Sequence, residues 1–91
     1  MSVQDARATQ ASTADEQSDR WEAVRPLPPS CKLVAKTLDS HDRLTQQELA
    51  KETLLATRTV REAASRLEEC GVVDSRVSFL DARKRLYRLS I

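Results

Sequence analysis

Within the nine residues 57–65 stand Thr57, Arg58, Arg61, Glu62 and Ser65. On a helix turning about 100° per residue, with the apolar Val60 at zero, Arg61, Ser65, Arg58 and Glu62 lie between about 100° and 200°. They therefore point away from the core, and Thr57 joins them at the helix start. An arginine fork matches the O6 and N7 acceptors of guanine, and a glutamate accepts from cytosine N4, so this set could read base edges. Glu62 repels nearby phosphates, which suits base discrimination better than bulk affinity. The competing use of the same residues is a solvated face held by an Arg58–Glu62 pair at i,i+4. Arg83, Lys84 and Arg85 form a second cluster, with Arg88 further along the same strand. Such side chains contact phosphates or a minor groove and position a protein without reading sequence. They also discourage unwanted strand pairing when they stand on a hairpin edge. Thr45, Gln46 and Gln47 open another helix, whose free amides and positive dipole end can take a phosphate.

Catalytic and metal chemistry find no support. His41 is the single histidine and stands in the polar run Asp39-Ser40-His41-Asp42. No Ser/His/Asp set, metal cluster or glycine-rich phosphate loop is present, so neither an enzyme nor a cofactor or metal site is expected. Cys31 and Cys70 lie 39 residues apart without a second cysteine at CxxC spacing. That is neither a zinc framework nor a disulfide scaffold. Small buried apolar residues are the first reading of the pair, and a regulatory thiol pair the second.

The elements that must position these clusters follow from periodicity and punctuation. A first helix is expected from about Pro29 to Leu38, because proline suits a first turn and Cys31, Val34, Ala35 and Leu38 make one apolar stripe. A second runs from Gln46 to about Thr53. Thr45 and Glu48 stand at the positions of a capping box, and Leu44 and Leu49 at those of a hydrophobic staple. A third spans about Thr57 to Cys70, with Val60, Ala63, Ala64, Leu67 and Cys70 on one buried face. Gly71 is placed to end it in the left-handed conformation, with Val72 against Leu67. Only Leu54, Leu55 and Ala56 separate the second and third helices, which makes a helix-turn-helix. Val73, Ser75, Val77 and Phe79 then alternate with polar neighbours, as do Tyr87, Leu89 and Ile91. A hairpin with one face on the core is expected, turning near Leu80-Asp81-Ala82-Arg83. No glycine is available there for a tight two-residue turn, so the loop should be longer.

The net charge of +1 over 91 residues conceals a polarity. Residues 1–26 carry three arginines against five acids, whereas the last sixteen residues carry five basic side chains against one acid. A basic end suggests a polyanionic partner. Residues 1–20 are small and polar with too little apolar surface to offset ordering entropy, and are expected to be a disordered tail. Residues 21–28, with Trp21, Val24 and Leu27 three apart, form a segment that either docks on its own domain or makes a dimer seam. Residues 29–91 are the folded domain. No apolar run is long enough to span a membrane and the start of the chain lacks a secretory pattern, so a cytoplasmic protein is expected.

Helix, helix-turn-helix and hairpin in this order make an α+β winged helix-turn-helix: three helices plus a C-terminal β-hairpin wing, behind the tail. The stretches LTQQELAKETLLATRTVREAASRLEECGVV and DARKRLYRL resemble the winged helix-turn-helix of MarR-type transcriptional regulators. They are especially similar to small stand-alone versions from halophilic archaea and halophage repressor-like proteins. The resemblance covers about residues 28–90. It implies sequence-specific double-stranded DNA binding as a small regulator, in the repressor sense, with the helix of residues 57–70 in the major groove and the basic wing on the backbone or minor groove. A homodimer on a two-fold site is implied too, with no small-molecule effector evident. The other function class is a winged-helix interaction module docking an acidic protein. Two positions depart from the MarR-type pattern. Leu54 stands where that turn usually has glycine, so it must either accept an unusual backbone or pack as core. Ala56 stands at the recognition-helix N-cap and cannot cap through its side chain. Thr57 or Thr59 would then cap instead, starting the helix as much as two residues later, with Thr59 and Glu62 as a capping box.

Overall fold

A computed structural model describes residues 20–91. The elements run α1 (Pro29–Asp39), β1 (Leu44–Thr45), α2 (Gln46–Thr53), α3 (Thr57–Glu69), β2 (Val73–Val77) and β3 (Arg85–Leu89). The tail expected over residues 1–20 lies outside the described residues apart from Arg20. That arginine donates to the Asp39 carboxylate at 2.5 Å and to the carbonyl group of Ile91 at 3.3 Å.

Each helix begins and ends for an identifiable reason. α1 starts on Pro29, whose missing N–H would be unpaired there anyway, and it buries Cys31, Val34, Ala35 and Leu38. α2 begins with the full capping box. The Glu48 amide donates to the Thr45 hydroxyl at 3.1 Å, and the Thr45 amide donates to the Glu48 carboxylate at 2.8 Å. The bond from the Thr45 amide, and after it hydrogen bonding with the Thr45 side chain, holds the Glu48 carboxyl below the usual carboxylate range. α3 ends in a Schellman motif. The Val72 amide reaches the Leu67 carbonyl at 2.9 Å and the Gly71 amide that of Glu68 at 3.0 Å, with Gly71 at φ +76°.

Two starts and turns settle questions the sequence leaves open. α3 starts at Thr57, not later. Ala56 is its N-cap in an extended conformation without any side-chain cap, so no Thr59–Glu62 capping box delays it. Leu54 accepts the unusual backbone: it sits at φ 62°, ψ 20° and is 91% exposed. The cost of a side chain in that region, about 1–2 kcal/mol, is carried at the turn without compensating burial.

The hairpin is one edge of a three-stranded antiparallel sheet in the order β1-β3-β2, with Leu44 paired to Tyr87 and Ser75 to Tyr87 from the other side. The two-residue β1 is too short to leave a periodic signature. It ties the start of α2 to the wing. The expected inward alternation of the hairpin reaches the core at Val73 and Tyr87, but Val77 is more than half exposed and Phe79 stands wholly in solvent. The strand ends at Val77, and only the inner half of the hairpin lies over the core. Residues 78–84 form the expected longer loop.

The core is aliphatic, with Leu38, Leu49, Leu67, Val34, Val60 and Val72 fully buried. Each such side chain contributes roughly 1.5–3 kcal/mol on leaving water. Trp21 and Val24, 8% and 4% exposed, belong to this same core, and Leu27 packs against it. In the structure the segment packs on its own chain. Cys31 is buried, but Cys70 caps α3 in solvent and departs from the buried-pair reading.

Candidate nucleic-acid interface

Three elements surround one polar cleft of about 510 Å³: the start of α2, the outer face of α3 and the base of the wing. Thr45, Gln46 and Gln47 line it from α2, Arg61 and Ser65 from α3, and Arg83, Lys84 and Arg85 from the wing. These residues are separated by up to 40 positions in the chain, and the sheet is what joins them. The Leu44–Tyr87 pairing holds the α2 start beside β3, and a hydrogen bond from the Gln46 amide group to the Thr57 carbonyl, 3.4 Å, holds it beside α3.

Electrostatics inside the cleft are cationic with one ordered acid. Glu68 accepts from the Ser75 hydroxyl at 3.0 Å, and Arg85 donates to that same oxygen at 3.2 Å. Ser75 thus relays between Glu68 and Arg85 and fixes the guanidinium at the cleft wall. Tyr87, also a lining residue, has its phenol pushed up by burial and by Glu68, while Arg85 and Arg61 pull it back. It is therefore a neutral hydroxyl at neutral pH. Burial likewise pushes the Cys31 thiol up, keeping it protonated and inert in the core.

The remaining sequence-derived residues divide. Thr57, Arg58 and Glu62 are exposed on α3 but stand outside the cleft lining. The Arg58–Glu62 pair expected from their spacing forms at 3.4 Å, with both side chains largely in water. Such a pair contributes a few tenths of a kcal/mol and yields readily to a better partner. Arg88 is not brought to the cleft. It alternates with Tyr87 and so faces the opposite side of the sheet, where it approaches Asp74 at 3.9 Å. Glu68, Ser75 and Tyr87 are site residues that sequence reasoning missed. Each reads as an ordinary helix-end or strand residue until β3 is paired between β1 and β2.

A helix whose exposed face carries arginines, entered through a short turn and flanked by a basic hairpin, is a recognisable arrangement. A family model of winged helix-turn-helix DNA-binding domains matches residues 36–74. The fold is a winged helix-turn-helix. The structure superposes on MarR-family regulators with identities that speak to the fold alone. The MepR–DNA complex of S. aureus matches at TM-score 0.68 and 20% identity, over 92% of this chain and 68% of that one. PcaV of Streptomyces coelicolor, solved with its natural ligand, matches at 0.69 and 24%, over 93% and 59%. BpsR of Bordetella bronchiseptica, whose DNA binding is regulated by 6-hydroxynicotinic acid, matches at 0.67 and 17%, over 93% and 62%. The chain therefore spans roughly two thirds or less of these regulators' lengths. All three are bacterial, and none supports the resemblance to haloarchaeal proteins. No curated protein sequence matches the chain. Among the described residues, no helix is long and apolar enough to cross a membrane.

Proposed function

We propose that this winged helix-turn-helix binds double-stranded DNA in sequence-specific fashion as a small cytoplasmic transcriptional regulator, in the repressor sense. The observation that carries the reading is the cleft itself. It brings a helix face with Arg61 and Ser65, the amide end of a second helix and three consecutive basic wing residues onto one side of the molecule. α3 enters the major groove by its N-terminal half, where Thr57, Arg58, Arg61, Glu62 and Ser65 meet base edges. Thr45, Gln46, Gln47, Arg83, Lys84 and Arg85 hold the flanking phosphates. The Arg58–Glu62 pair opens as Arg58 turns to a guanine. One module reads few base pairs, so two copies occupy a two-fold operator. Burial of Trp21 and Val24 in the core of their own chain favours a seam on other surface.

The test compares two variants on an operator selected from a random pool and on unselected duplex. Arg61→Ala should cost roughly 1–3 kcal/mol on the selected duplex only. Arg85→Ala should weaken both alike and lower the log–log salt slope by about one. Equal weakening by Arg61→Ala on both duplexes would contradict its base-reading role. An unchanged slope for Arg85→Ala would remove the wing from the contact surface.

A further inference from the structure

The wing tip presents two large apolar side chains that the cleft does not use. Phe79 and Leu80 are 107% and 99% exposed, adjacent and without cover. Exposed apolar pairs at the end of a projecting element mark contact with another molecule. The loop that carries them is tied by several hydrogen bonds. The Ser78 amide bonds the Lys84 carbonyl and the Lys84 amide that of Asp81, both at 2.9 Å. The Ser78 hydroxyl accepts from the amides of Leu80 and Asp81 at 3.2 and 3.4 Å. The Asp81 carboxylate accepts from the Arg83 amide at 3.0 Å. Phe79 and Leu80 thus stand on a braced turn.

Charge identifies the occupant. One side of the hairpin bears Arg83, Lys84 and Arg85 along the cleft. Its other side holds a shallow groove lined by Arg43, Arg76, Val77, Phe79, Leu86 and Arg88. A strip with cations on both sides and an apolar tip is complementary to two phosphate strands with stacked bases between them. We propose that Phe79 and Leu80 form an apolar wedge that enters the minor groove, unstacks a base step and bends the duplex, while Arg76 and Arg88 take the phosphates on the outer side. The proposal rests on the DNA-binding reading above. It adds a specificity element, because pyrimidine–purine steps such as TA open at least cost and would be preferred under the tip.

The test uses the whole chain and a duplex of about 24 base pairs with a central run of TA steps, 2-aminopurine in place of several adenines, and a dye pair on its ends. Anisotropy reports binding, 2-aminopurine brightening reports unstacking, and end-to-end transfer reports bending. The wild type should bind, brighten the base and shorten the end-to-end distance. The double variant Phe79→Ser, Leu80→Ser removes only exposed side chains and should fold as before. It should bind roughly tenfold more weakly, the scale of one lost base–aromatic stack. Its salt slope should be unchanged because no charge is altered, and brightening and bending should be lost. A wild type that binds without brightening or bending, or a double variant that still brightens and bends, would overturn the wedge and leave DNA binding standing. A wild type that fails to bind the duplex at low salt would overturn both.

Discussion

At the scale of single residues, the side chains with exposed chemistry were legible and the backbone exceptions were not. Arg61 and Ser65 fall in the cleft because helical periodicity places them opposite Val60, and periodicity is a property of sequence. Leu54 is the reverse case. Its identity permits either a buried turn residue or a strained exposed one, and only the observed φ of 62° distinguishes them. That strain makes a prediction. Leu54→Gly should raise stability by about 0.5–1 kcal/mol, the left-handed cost relieved less the added unfolded-state freedom of glycine. Chemical denaturation measures it. A loss of stability would show that the Leu54 side chain contributes packing that its exposure hides.

At the scale of elements, α2 shows how a local signature fixes a boundary. The Thr45/Glu48 box lies within four residues and needs no tertiary context, so the start of the helix follows from sequence alone. The hairpin does not yield in the same way. Alternation from Val73 to Phe79 marks a strand, yet how far that strand stays over the core depends on the helices beneath it. The same non-local pairing hid Glu68, Ser75 and Tyr87, because each acquires its role from β3 lying between β1 and β2. The capping box has a pH consequence. The Glu48 carboxyl is depressed in the folded chain by its bonds to Thr45. Its contribution is therefore present above the ordinary glutamate range and is lost as the pH falls through the depressed value. Stability should decline on acidification below about pH 4, and Glu48→Gln, which keeps an acceptor but cannot titrate there, should flatten that decline. Identical acid profiles for the two proteins would show that the box contributes no pH dependence.

At the scale of the whole molecule, the lead-in segment packs against the core of its own chain. Trp21 lies in the core with cations on its ring, Lys36 at 4.6 Å and Arg20 at 5.2 Å from the centroid. The folded part after Pro29 is small for a lone core, and the Trp21 turn enlarges it. Its three-residue spacing was visible in the sequence, but spacing alone does not say which copy of the chain it packs on. Trp21→Ala should therefore cost about 3–5 kcal/mol of stability, independent of protein concentration. A cost that vanished at high concentration would instead mark a seam between copies.

The central claim is that the cleft and wing are a surface for duplex DNA. Anisotropy of a labelled random-sequence duplex, titrated with the chain across a salt series beside a matched single-stranded RNA, tests it most directly. The account predicts duplex binding whose logarithm falls linearly with log salt, steeply enough for several phosphate contacts, and weaker RNA binding because Tyr87, the aromatic residue of the cleft lining, is buried and offers no open face for stacking. A folded protein that ignores the duplex even at low salt would contradict it and leave the same basic face to an acidic protein partner.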